Sequence, residues 1–76
     1  MNKEHPTEPA AQAMIFNILQ ASKRAKPIQE IAHEVKVSYA DAMEHLVAIG
    51  RNVQLRYETL PDGIAKVEIF RVPGAE

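Results

Sequence analysis

The residues that could do chemistry in this 76-residue chain are few. His33, His45, Asp41, Glu30 and Glu34 could be gathered into a metal or acid–base site, and Ser38 is the aliphatic hydroxyl near them. Asp41 and His45 are four residues apart, so a helix would place them on one face. A single carboxylate–histidine pair is common by chance, and zinc takes more ligands at recognisable spacing. Ser38 is better placed as a helix cap than beside a general base. Gly50, Gly63 and Gly74 are too scattered to form a phosphate-cradling loop. The chain has no cysteine, which excludes a disulfide framework and a thiolate metal site. These observations predict no enzyme, no metal and no cofactor.

A second constellation suits binding. Tyr39, Met43 and Val47 recur every fourth residue, with Ala40, Asp41 and Glu44 among them. On a helix this spacing makes a solvent-facing apolar strip flanked by carboxylates. Aromatic and methionine side chains ringed by polar groups are the composition of an interface core. Arg51 follows the strip, and Arg56 and Lys66 come later in the chain.

Charge is unevenly distributed. The formal net charge is −1. Residues 1–26 carry Lys3, Lys23, Arg24 and Lys26 against Glu4 and Glu8. Residues 27–50 carry only Lys36 against Glu30, Glu34, Asp41 and Glu44, and the last third is balanced. The centre is therefore acidic and the cations flank it.

The elements that must position these residues can be read in order. His5-Pro6 favours an extended start. Thr7 can cap a helix, with Pro9 in its first turn. From Ala10 to about Lys23 the apolar residues Ala11, Met14, Ile15, Ile18 and Leu19 form a stripe. Phe16 lies off the centre of that stripe and could meet the hairpin, a partner or a second subunit. Lys23, Arg24 and Lys26 crowd the end of this helix, where cations suit its dipole.

Pro27 separates this helix from a short amphipathic one, in which Ile28, Ile31, Ala32 and Val35 face inward. Lys36-Val37 makes a turn. Ser38 caps a third helix, with Asp41 completing a capping-box-like pair. Ala42, Leu46 and Ile49 face inward there, with His45 beside them, and Gly50 is the expected stop. The period then changes to two, with Val53, Leu55 and Tyr57 alternating with polar residues. Pro61-Asp62-Gly63 signals a turn. A return strand runs from about Ile64 to Val72 with Ala65, Val67 and Ile69 inward, and Pro73-Gly74 ends it.

The predicted organisation is one α+β domain over residues 9–72, with tails at 1–8 and 73–76. At 46% apolar residues the chain is too hydrophobic to be disordered. No apolar run is long enough for a bilayer, and the N-terminus lacks a secretory pattern, so a cytoplasmic location is expected.

The pattern Glu30-Ile31-Ala32, Val35, Val37-Ser38, Ala42, Leu46 and Ile49, followed by a hairpin, resembles the winged helix-turn-helix superfamily, in particular small single-domain bacterial or phage regulators. That resemblance implies three helices followed by a two-stranded β-hairpin wing. It also implies a DNA-binding transcriptional regulator whose third helix enters the major groove. The DNA-binding residues would then be Tyr39, Ala40, Met43, Glu44, Arg51, Arg56 and Lys66. Two features depart from the pattern: Lys36 stands where the turn usually carries glycine, and the third helix has no arginine, lysine, asparagine or glutamine before Arg51. Those are the side chains that pair with bases and phosphates.

The alternative is a protein–protein interaction module. Tyr39, Asp41, Met43, Glu44 and Val47 would then receive a basic partner, one version being an inhibitor of another DNA-binding protein. The expected partners are double-stranded DNA or such a protein, with no membrane. A homodimer is plausible through Phe16 and the first helix, or through Leu60, Ile64, Phe70 and Val72.

Overall fold

The computed structural model describes residues 8–71. The elements run α1 (Glu8–Ala21), β1 (Lys26–Pro27), α2 (Ile28–Val35), α3 (Tyr39–Gly50), β2 (Leu55–Thr59) and β3 (Ala65–Ile69). Helices α1 and α2 pack against a small antiparallel sheet of strand order β1-β3-β2, and α3 packs across α1 and α2. The expectations for His5-Pro6, Thr7, Val72 and Pro73-Gly74 lie outside the described residues.

Each helix contributes one buried stripe to the core. Ala11, Ile15 and Leu19 come from α1, Ile28, Ile31, Ala32 and Val35 from α2, and Ala42, Leu46 and Ile49 from α3. Val67 joins them from the central strand β3. The α1 stripe is narrower than its spacing suggested: Met14 is 42% exposed, because the helix turns only its Ala11–Ile15–Leu19 edge fully inward. Phe16 is half-buried against this core, beside Ile49 and Val53. Helix α1 begins at Glu8 and stops at Ala21, two residues short of Lys23. Ser22 ends it, its hydroxyl donating to the Ile18 carbonyl at 2.7 Å.

The α2–α3 turn closes through Lys36, which adopts φ 65°, ψ 43°. Its N–H donates to the His33 carbonyl at 3.2 Å, and the Val37 N–H donates to the Ala32 carbonyl at 3.0 Å. These bonds form the left-handed helix stop that glycine usually occupies. The Ser38 cap of α3 forms as its sequence predicted, the hydroxyl accepting the Asp41 N–H at 3.0 Å, which is one half of the expected capping-box pair. The helix ends differently. Gly50 is the last helical residue, but Arg51 continues in right-handed conformation (φ −72°, ψ −23°), and the Asn52 and Val53 N–H groups donate to the Ile49 carbonyl.

The sheet has a strand that the hairpin expectation lacked. Lys26 pairs with Val67 and Pro27 with Lys66, so the predicted two-stranded wing is part of a three-stranded sheet. Proline restricts the residue before it to extended conformations, and at a sheet edge its missing N–H is tolerated. Lys26 also reaches Glu34 at 3.1 Å, linking β1 to the end of α2.

The β2–β3 hairpin turns at Leu60–Ile64. The Gly63 N–H donates to the Leu60 carbonyl at 2.8 Å, and the Leu60 N–H donates to the Ile64 carbonyl at 2.9 Å. Gly63 has φ 91°, and the Asp62 carboxylate accepts the Ile64 N–H at 3.1 Å. This is a type I turn with proline at its second position, followed by a glycine in left-handed conformation.

Candidate interaction surface

Helix α3 lies with Ala42, His45, Leu46 and Ile49 inward. Its opposite side therefore carries Ala40, Glu44, Val47 and Arg51, with Tyr39 and Met43 alongside. Tyr39 is 47% and Val47 55% exposed, Met43 is half-buried, and Ala40, Asp41, Glu44 and Arg51 are exposed. The fold thus keeps the apolar strip predicted on this helix along one flank, with Glu44 beside Val47, whereas Asp41 falls on the opposite flank next to His45. The strip is positioned from below by the Leu46 and Ile49 contacts, at its start by the Ser38 cap, and at its entry by the Lys36 turn.

The wing residues have other partners. Register places Arg56 directly opposite Glu68 and Lys66 opposite Glu58. The Arg56 guanidinium comes to 3.8 Å from the Glu68 carboxylate. Residues directly opposite share a face, and Leu55, Ala65, Val67 and Ile69 occupy the helix side. Arg56, Glu58, Lys66 and Glu68 therefore occupy the outer side of the sheet, facing away from the helices. The structure gathers two of the expected phosphate-contact residues into a charge-balanced cluster rather than onto the α3 face. Arg71, at the end of the hairpin, donates to the Gln20 carbonyl of α1 at 3.4 Å.

Tyr57 shares the helix side of the sheet with Leu55 and Val67 yet is 47% exposed, because β2 is the edge strand. Partial burial raises its phenol pKa above the ordinary value.

His45 is buried (7% exposed), with Nδ1 3.4 Å from the Gln12 side-chain oxygen, so it serves the α1–α3 contact. Asp41, its neighbour on the helix, is exposed. The Gln12 pairing was invisible in sequence, since the two residues lie far apart along the chain. Among the described residues, no three of His, Asp and Glu converge as a metal site would require. A groove of about 350 Å³ between α1 and the end of α3 is lined by Gln12, Phe16, Ile49 and Val53, among others, and carries no ionisable side chain. Among the described residues, no helix is long and apolar enough to cross a membrane.

Comparison with protein-family models, with characterised proteins and with solved structures gives no match for this chain.

Proposed function

We propose that the chain is a winged-helix module whose outer α3 face docks a protein partner. The winged-helix reading rests on the element order, the strand order β1-β3-β2 and the left-handed turn between α2 and α3. The docking reading rests on one observation above the rest: Tyr39, Met43 and Val47 lie along the accessible side of α3 with the Glu44 carboxylate beside Val47. A partner segment with apolar anchors and lysine or arginine at its rim fits that chemistry. Apolar anchors supply most of the affinity, while rim charges mainly set orientation and on-rate.

The runner-up is a DNA-binding transcriptional regulator, favoured by the outward placement of α3 after a helix-turn-helix-like bend. Charge weighs against it. Non-specific DNA affinity comes from neutralised phosphates. Asp41 and Glu44 subtract from that attraction, and Arg56 and Lys66 stand opposite carboxylates.

The experiment replaces Val47 with a photo-crosslinking residue in the host cell and identifies the adduct by mass spectrometry. The expected result is a discrete adduct with one protein bearing a basic, apolar segment, weakened by Glu44→Lys. Purified protein should show little binding to random duplex DNA at low salt, and Arg56→Ala with Lys66→Ala should not change it. An adduct with DNA, together with salt-sensitive duplex binding that flattens by about 2 in slope in that double variant, would establish the runner-up instead.

A further inference from the structure

Among the described residues, strand β2 leaves one side of its backbone unpaired, and its sequence is complementary to itself. In the order β1-β3-β2 it is an edge strand, and four of its five residues are exposed. Edges are normally blunted by proline, a bulge or an inward lysine. Leu55–Thr59 contains no proline, and its five pairs with β3 run in unbroken register.

The hydrogen bonds fix which backbone groups face outward. The Phe70 N–H donates to the Gln54 carbonyl at 2.9 Å, and the Leu60 N–H donates to the Ile64 carbonyl at 2.9 Å. Hydrogen-bonded and non-hydrogen-bonded pairs alternate along an antiparallel ladder. Arg56 and Glu58 therefore turn their N–H and C=O groups toward β3. Leu55, Tyr57 and Thr59 turn theirs to the open edge.

We infer that β2 pairs antiparallel with β2 of a second copy of this chain, about a twofold axis through Tyr57, to form a continuous six-stranded sheet. In this register Tyr57 pairs with the partner's Tyr57 and Leu55 with the partner's Thr59, each exchanging both N–H···O bonds. All five residues of the strand are matched. Arg56 comes opposite the partner's Glu58, and Glu58 opposite the partner's Arg56. On the outer side of the sheet Lys66, Glu58, the partner's Arg56 and the partner's Glu68 then form a row of alternating sign, repeated by symmetry. On the helix side the half-exposed Tyr57 is covered by the partner's Tyr57, a favourable aromatic cross-strand pair. Moving the axis by one residue sets Arg56 against the partner's Arg56, or Glu58 against the partner's Glu58, and leaves fewer residues paired. Charge thus selects both the occupant and the register. The contact is isologous and closes at the dimer. It lies on the sheet edge and is independent of whatever α3 binds.

Sedimentation equilibrium and amide exchange test this on the full chain. The expected result is a monomer–dimer equilibrium. The N–H groups of Leu55, Tyr57 and Thr59 should exchange at least tenfold more slowly at millimolar than at micromolar concentration, with Arg56 and Glu58 unchanged. Arg56→Glu and Glu58→Arg should each weaken dimerisation about tenfold, since each sets like charges opposite across the axis. An equimolar mixture of the two variants should restore it, because the mixed dimer regains both opposite-charge pairs. Circular dichroism checks that each variant folds. As an independent readout, Tyr57→Cys in this cysteine-free chain should form a disulfide-linked dimer on oxidation. The Cα separation of a hydrogen-bonded pair, about 5.5 Å, falls within the disulfide range. A monomer at millimolar concentration would overturn the inference. So would a dimer in which those three amides stay unprotected, or a mixture of the variants no tighter than either alone.

Discussion

At the scale of single residues, Lys36 is the clearest conflict between local preference and fold. A side chain in left-handed conformation costs about 1 kcal/mol relative to glycine. Lys36 accepts it because the Val37 N–H can reach the Ala32 carbonyl only across that bend, and Val37 then packs against the core. The turn sets the angle at which α3 leaves α2, so the strain supports the placement of the Tyr39–Val47 face. Lys36→Gly should therefore stabilise the domain by up to about 1 kcal/mol, less whatever entropy glycine adds to the unfolded chain. Thermal unfolding should register this as a rise of several degrees, while Lys36→Val should lower the midpoint.

At the scale of elements, the hairpin holds its register through its turn and its core-facing row. Gly63 takes φ 91°, and an added Cβ would meet nothing within 4 Å. The cost of Gly63→Ala is then conformational rather than steric crowding, about 1 kcal/mol. Chemical denaturation should show the midpoint falling with the slope unchanged. A result within error of zero would mean that the turn relaxes without disturbing the β2–β3 ladder. Because the turn lies away from the α3 face, crosslinking at Val47 should persist in this variant.

At the scale of the whole molecule, a small domain has little stability to lose. Among the described residues, its core rests on eleven buried apolar residues drawn from all three helices and the central strand. Leu46 is fully buried on the inward side of α3, and truncating such a leucine to alanine costs about 2–5 kcal/mol. Domains of this kind have only about 5–15 kcal/mol in total, the smallest at the low end. Leu46→Ala should therefore leave the domain largely unfolded at 37 °C by circular dichroism. Val47→Ala, one residue away and 55% exposed, should change stability by less than about 0.5 kcal/mol. The contrast separates the side of α3 that holds the fold from the side offered to a partner.

The sequence by itself determined most of what is local, though not where α1 and α3 end. The three helical stripes, the Ser38 cap, the strained Lys36 turn and the Pro61-Asp62-Gly63 reversal each depend on residues within a few positions of one another. The outward strip of Tyr39, Met43 and Val47 followed from helical period alone. Tertiary structure decided whatever joins distant segments. A two-residue strand has no period to read, so β1 exists only because β3 pairs with it. Arg56 and Lys66 looked available for phosphates until register set them against Glu68 and Glu58. Tyr57 alternates as an inward residue should, but an edge strand has too little helix beneath it to cover the ring. His45 became a packing residue because α1 presents Gln12 to it. The physical reason is the same in each case: local patterning fixes which face an element shows, and only the packed chain fixes what that face meets.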